Sequence, residues 1–177
     1  MLLLRLLAAL TRTPPVDPLL SPEAGAVEAL AARLAAASRR RLGRSLAVFE
    51  VSVGGCGGCA LEVEALRGAA HGIERYGIAF AASPRGADVL LATGAVLRNG
   101  REALERALTC MPEPRWVVAA GDCAVDGGVF KGGYAVEGGV GAALPVDLVI
   151  PGCPPTPVAL LGGLVSLLDV EAPPGRG

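Results

Sequence analysis

Five cysteines stand in a chain of 177 residues, and their spacing is uneven. Cys56 and Cys59 form a C-x-x-C pair inside Val51-Ser-Val-Gly-Gly-Cys-Gly-Gly-Cys-Ala-Leu-Glu62, a turn with four glycines. Upstream, Ser45 to Val53 reads S-L-A-V-F-E-V-S-V, an apolar, partly β-branched run of strand length that Gly54 and Gly55 end. Downstream, Ala60 to Arg67 is helix-forming, so the pair belongs to a strand-to-helix turn. Three chemistries suit such a turn. Gly55-x-Gly57-x-x-Ala60 meets the G-x-G-x-x-A form of the dinucleotide fingerprint, but Ala81, Ala82 and Ser83 occupy the end of the next strand, where an acid should hold a ribose hydroxyl. A thioredoxin-like pair would have its thiol pKa lowered by the helix N-terminus, yet that reading leaves the remaining cysteines without a role. A thiolate-bound metal centre uses them.

The elements that must position these thiols can be read in order. Residues 1 to 22, with Pro14, Pro15 and Pro18, read as an extended tail. Ser21-Pro22-Glu23 offers an N-cap, a proline at the first helical position and a first-turn acid, and Val27, Leu30 and Leu34 then recur at helical spacing. This helix ends in Ser38-Arg-Arg-Arg-Leu-Gly-Arg44, whose cations suit its dipole or mark a basic amphipathic arm for a membrane surface or membrane subunit. Beyond the Ser45–Val53 strand, further strands are expected at Tyr76–Ala82, Ala87–Thr93, Trp116–Ala120 and Val146–Ile150. Helices are expected at Arg101–Leu108 and from about Pro155 to Leu168, and the glycine-rich stretch Asp126–Gly141 reads as a loop. Ser83-Pro-Arg-Gly86 is short for a crossover, which weakens a parallel assignment for the strands around it.

Apolar strands alternating with helices indicate an α/β domain with a mostly parallel sheet and flanking helices. Such sheets bind ligands beyond the carboxyl ends of their strands. Cys56 and Cys59 follow the first strand, Cys123 the fourth and Cys153 the fifth, so four thiols converge on one edge. Cys110 ends a helix on the other side of the topology and reads as a small buried hydrophobe.

Hydrophobic residues make up 52 % of the chain and aromatics 3 %, so the core must be built from Ala, Val and Leu. A net charge of −1 argues against nucleic acid as a partner. The cysteine pattern, with no secretory context, fits a reducing compartment rather than a disulfide framework. Met1–Leu10 is leucine-rich but too short to span a bilayer and lacks a convincing cleavage site; Arg39-Arg40-Arg41 leads straight into the first strand, leaving no room for a removable twin-arginine signal.

Four cysteines can hold a structural zinc or an iron–sulfur cluster. Only one pair is close here, the other two arrive singly, and glycines beside each of the four leave backbone N–H groups free to approach inorganic sulfide, which favours iron–sulfur.

Several segments together resemble a known family: Cys56-x-x-Cys59-x-x-Glu62, Arg75-Tyr-Gly-Ile, Ser83-Pro-Arg-Gly-Ala-Asp-Val-Leu-Leu-Ala-Thr-Gly94, Gly121-Asp-Cys-Ala-Val-Asp-Gly-Gly-Val-Phe130 and Pro151-Gly-Cys-Pro-Pro-Thr-Pro157. They are similar to the small subunit of membrane-bound [NiFe] hydrogenases of the formate hydrogenlyase and energy-converting type, which is related in turn to the 20 kDa (B) subunit of complex I. The resemblance covers about residues 45 to 168. It implies a flavodoxin-like fold with one [4Fe–4S] cluster on Cys56, Cys59, Cys123 and Cys153. It also implies a large catalytic subunit and membrane subunits as partners, and a peripheral place on the cytoplasmic side of the inner membrane. The spaced Cys-x-x-Cys matches the hydrogenase branch, since the complex I subunit has adjacent cysteines. Gly57 and Ala60 depart from the Asn and the acid common in that branch, and the extra cysteine-rich part of uptake-type subunits is absent from the sequence.

The expected organisation is a tail and basic helix over 1–44, an iron–sulfur α/β domain over 45–170 and a tail over 171–177. The chain reads as an electron-transfer subunit that is not catalytic alone, with the 20 kDa subunit of a complex I-type enzyme and a zinc-stabilised scaffold module as alternatives. Glu62 is a first-turn acid with a polar or proton-handling role implied by the resemblance. His71 reads as a surface or helix-end residue, and Asp122 and Asp126 as organisers of the glycine-rich loop.

Overall fold

The structure, a computed structural model, describes residues 24–68 and 71–169. The tail over 1–22, the Ser21-Pro22-Glu23 cap and the tail over 171–177 lie outside them. Five strands, β1 (Ala47–Ser52), β2 (Ala79–Phe80), β3 (Val89–Thr93), β5 (Trp116–Ala120) and β7 (Leu148–Ile150), form one sheet. Its order is β2-β1-β3-β5-β7, and every pairing is parallel. Counted within the sheet, that is the 2-1-3-4-5 order of flavodoxin-like folds, whose switch point lies between the first and third strands. A two-stranded antiparallel ribbon, β4 (Val96–Leu97) with β6 (Val136–Gly138), lies apart from it.

Alternation along the strands divides the core between two faces, as the two-residue period requires. Val48, Val89, Leu91, Trp116, Val118 and Ile150 face one side, where α1 (Ala24–Leu42), α2 (Gly58–Arg67) and α5 (Pro157–Asp169) cover them. Phe49, Val51, Leu90, Ala92, Val117 and Ala119 face the other, against Leu104 and Ala107 of α3 (Arg101–Cys110) and Ala124 of the short α4 (Asp122–Asp126). With both faces covered, β3 and β5 are buried at every position, which is why they read as unbroken apolar runs.

Several expectations are refined. The basic helix packs on the domain: Val27, Ala31 and Leu34 of α1 share a core with Leu160, Leu161 and Leu164 of α5, and the expected Tyr76–Ala82 strand shortens to Ala79–Phe80. Its cations are engaged on neighbouring elements. Arg41 donates to the carbonyls of Leu167 and Leu168 at 3.3 and 2.8 Å, satisfying the last turn of α5, and its guanidinium lies 5.3 Å from the centre of the Trp116 ring. Arg40 pairs with Asp169 at 3.0 Å. The short Ser83–Gly86 link is compatible with a parallel sheet because β2 is only two residues long and ends opposite Val48, where β3 begins; the chain has no strand length to climb back. Within the expected loop, residues 136–138 form the ribbon strand β6. Cys110 is exposed rather than buried, because the apolar stripe of α3 runs through Leu104, Ala107 and Leu108 to Met111 and passes it by.

Candidate metal centre

β1 stops at Ser52, and the chain enters α2 through Gly57, so that Cys56 stands exposed in the turn and Cys59 is buried in the helix's first turn. β5 stops at Ala120, and Gly121 leads into α4 with Cys123 buried. β7 leads through Pro151 and Gly152 to the exposed Cys153. Pairing between β5 and β7 continues past both strands: the Gly121 N–H donates to Ile150 O at 2.8 Å, and the Asp122 N–H to Gly152 O at 2.9 Å. The Gly152 N–H then donates to the Asp122 carboxylate at 2.8 Å. These three bonds carry Cys153 to the side of Cys123. Asp122 therefore ties two cysteine loops together, whereas Asp126 organises the glycine-rich stretch itself, accepting from the Gly128 N–H at 2.9 Å and from Lys131 at 3.0 Å.

The two buried thiols feel both their burial and their neighbours. Burial pushes the Cys59 thiol above its ordinary value, and Cys123, Cys153, Cys56 and then Asp122 add to the rise. Burial likewise raises Cys123, followed by Cys153; the Val129 N–H, donating to the Cys123 sulfur, pulls the other way. Cys110, at the far end of α3, is outside this set.

Cys56, Cys59 and Cys123 line one pocket between the ends of β1 and β3, with Ser52 and Thr93 at its floor and Gly54, Gly57, Gly58 and Gly94 in its walls. Two glycines of the neighbouring loops are held there by the sulfurs. A Cβ on Gly121, whose φ is +94°, would sit 2.4 Å from the Cys59 sulfur, and one on Gly128 would sit 2.9 Å from the Cys123 sulfur. Glu62 is half-buried on α2, one turn beyond Cys59, and His71 is half-buried with its N–H donating to Gly68 O at 3.3 Å.

Residues 56–167 match the family described as NADH ubiquinone oxidoreductase, 20 Kd subunit. The chain belongs to this family. The match begins at Cys56 and takes in Cys59, Cys123 and Cys153. Among members of the 20 Kd subunit family, the B subunit of NADH-quinone oxidoreductase from Citrifermentans bemidjiense is 50 % identical over 111 residues, 63 % of this chain and 65 % of that protein. Formate hydrogenlyase subunit 7 of Escherichia coli is 42 % identical over 139 residues, 78 % of this chain and 54 % of that protein. The chain thus spans a little under two thirds of the first relative's length and about half of the second's. Among solved structures, one chain of the membrane-bound sulfane sulfur reductase, an archaeal respiratory membrane complex, superposes with a TM-score of 0.63 at 30 % identity, covering 77 % of this chain and 74 % of that one. The family's relatives are thus subunits of oxidoreductases. No helix among the described residues is long and apolar enough to cross a membrane.

The donor set fits the iron–sulfur cluster expected of this family. It consists of thiols alone, as such clusters require, and the glycine walls leave room and backbone N–H groups around the sulfurs. Among the described residues no group of three or more His, Cys, Asp or Glu side chains is closed tightly enough to hold a metal ion.

Two further residues adjoin this site without having been singled out by the sequence: Thr93, which lines the pocket, and Glu50, which accepts its hydroxyl proton at 2.9 Å. Glu50 interrupts an otherwise apolar strand, and Thr93 closes β3; an acid in the middle of a β-branched run is the one signal the sequence offers.

Proposed function

We propose that this chain is the electron-transfer subunit of an oxidoreductase complex and that Cys56, Cys59, Cys123 and Cys153 hold one [4Fe–4S] cluster. The observation that carries the reading is the convergence of four thiols beyond the carboxyl ends of a parallel sheet's strands, beside a pocket walled by glycine. Such a cluster, when bound, accepts and passes on single electrons. The chain's own residues fix the ligand loops, bury Cys59 and Cys123, and leave Cys56 and Cys153 on an open side.

That open side is the docking face. Leu61, Val129 and Tyr134 are 71, 83 and 90 % exposed, and the partly exposed Phe130 ring packs beside Gly55 in the cysteine turn. Apolar side chains of that size around a redox site call for a second protein that excludes water and extends the electron path. The partner is a larger catalytic subunit in a membrane-associated complex, with this chain bound peripherally on the cytoplasmic side. The spaced Cys56-x-x-Cys59 supports a [NiFe] hydrogenase-type partner, as does the longer alignment with formate hydrogenlyase subunit 7. The higher identity to the NADH-quinone oxidoreductase relative favours a quinone-reducing complex as the second reading.

Anaerobically purified protein should be brown and contain iron and sulfide in equal amounts. Replacing any one of the four ligands by serine should remove most of both, because a hard oxygen holds soft iron–sulfur poorly, while Cys110→Ser should leave the content unchanged. Colourless protein with one zinc per chain overturns the reading. Two Cys-x-x-Cys pairs in the co-purifying large subunit would identify a nickel–iron partner, and their absence would turn the assignment to the quinone-type complex.

A further inference from the structure

Parallel strands covered on both faces by helices are near-continuous apolar runs, and an acid within one costs free energy unless its oxygens are satisfied. Glu50 is such an acid, at the middle of β1, which is paired on both sides by β2 and β3, and it is half-buried. No cation pairs with it among the described residues. Its partner is a hydroxyl: Thr93 Oγ1 donates to Glu50 Oε1 at 2.9 Å. Thr93 is 1 % exposed, pairs in register with Ser52 at the carboxyl end of β3, and lines the pocket that Cys56, Cys59 and Cys123 share. Glu50 is thus one hydrogen bond removed from the candidate metal centre.

We propose that Glu50 and Thr93 are positioning residues that hold down the reduction potential of the cluster, Glu50 by committing the Thr93 hydroxyl proton to itself. This inference rests on the cluster reading above. A threonine hydroxyl has one proton and two lone pairs, so a proton given to Glu50 is withheld from the pocket, and the oxygen presents electron density there instead. Donors directed at a cluster raise its potential, and negative charge close by in a low-dielectric site lowers it. An ionised Glu50 supplies both effects in the lowering direction, its own charge and the captured proton. Glu50→Gln removes the charge and keeps the shape. Its amide can also donate to Thr93 Oγ1, which frees the hydroxyl proton to turn towards the pocket.

The test is anaerobic potentiometric titration of the purified complex, followed by the cluster's paramagnetic signal, with iron and sulfide measured on the same samples. Glu50→Gln should raise the midpoint potential at unchanged iron content. In a Thr93→Val background the same substitution should raise it less, because no hydroxyl remains to turn. Thr93→Ser, which keeps the hydroxyl, should titrate like the parent; a role in packing alone predicts that serine and valine behave alike. A fully loaded Glu50→Gln complex with the parent's potential overturns this inference and leaves the cluster reading standing. A parent complex without iron and sulfide overturns both.

Discussion

At Gly121 a hydrogen atom stands where any other residue would place a carbon against a ligand sulfur. That carbon would lie 2.4 Å from the Cys59 sulfur, closer than real atoms pack, and the sulfur is the part of the contact that can move. Gly121→Ala should therefore displace Cys59 and cost the protein most of its iron, while the fold loses about 1–3 kcal/mol through the left-handed φ of +94° and local crowding. Gly128→Ala should act in the same way on Cys123, whose sulfur lies 2.9 Å from the added carbon. Gly86→Ala is the control, since nothing lies within 4 Å of its added carbon, and its stability should stay within about 0.5 kcal/mol of the parent's. Iron per chain and a thermal melt distinguish the cases. Full iron in Gly121→Ala would show that the sulfur does not need its place.

At the scale of elements, the amino ends of the strands are held by carboxylates and the carboxyl ends by turns. Asp88, just before β3, is buried and takes both arms of the Arg44 guanidinium, and its Oδ2 also accepts from the Ala47 N–H at 2.9 Å, so one acid joins β3 to β1. Asp147, just before β7, accepts from the Val117 N–H at 2.8 Å and joins β7 to β5. Asp88→Asn leaves an acceptor for Ala47 but breaks the fork. It should cost about 2–3 kcal/mol, below the full loss for a buried pair because the Arg44 side chain is 53 % exposed and can be rehydrated. Asp169→Asn, which frees the exposed Arg40, should cost no more than about 0.5 kcal/mol. Urea unfolding of the two variants tests the contrast, and equal costs would refute the role given to Asp88. These same elements mark how far the sequence could be read. β3 and β5 were legible because burial on both faces leaves an unmistakable apolar run. The placement of Cys56, Cys59, Cys123 and Cys153 beyond strand ends was legible too, since glycine punctuates the chain after β1, β5 and β7. β2 was overextended because Ile78 before it and Ala81 and Ala82 after it continue an apolar run, although Tyr76 ends a 3₁₀ turn and the strand proper is only Ala79–Phe80. The ribbon β4–β6 was invisible because its pairing joins segments some forty residues apart and its composition is that of a loop. The role of the arginines on α1 was also hidden, since the carbonyls and ring they engage arrive from α5 and β5.

Over the whole molecule, folding gathers four thiols at one edge before any metal is counted, and that gathering has a proton cost. In the fold, Cys59 and Cys123 hold their protons more tightly than ordinary thiols, through burial first and through their neighbours second. In the unfolded chain the same groups ionise at about pH 8.5. Above that pH the native state keeps protons that the unfolded state has lost, so stability is complete below about pH 8.5 and falls as pH rises towards the folded values. The iron-free chain should therefore show a urea midpoint that is level near neutrality and declines above about pH 8.5, and Cys59→Ser with Cys123→Ser should flatten that decline. Ligation reverses the balance, because a thiolate bound to metal has no proton left to keep. The loaded protein should lose the decline, and its apparent affinity for iron should grow with pH over the same interval. A level profile in the iron-free chain would mean that neither burial nor neighbouring charge holds the Cys59 and Cys123 protons in the fold.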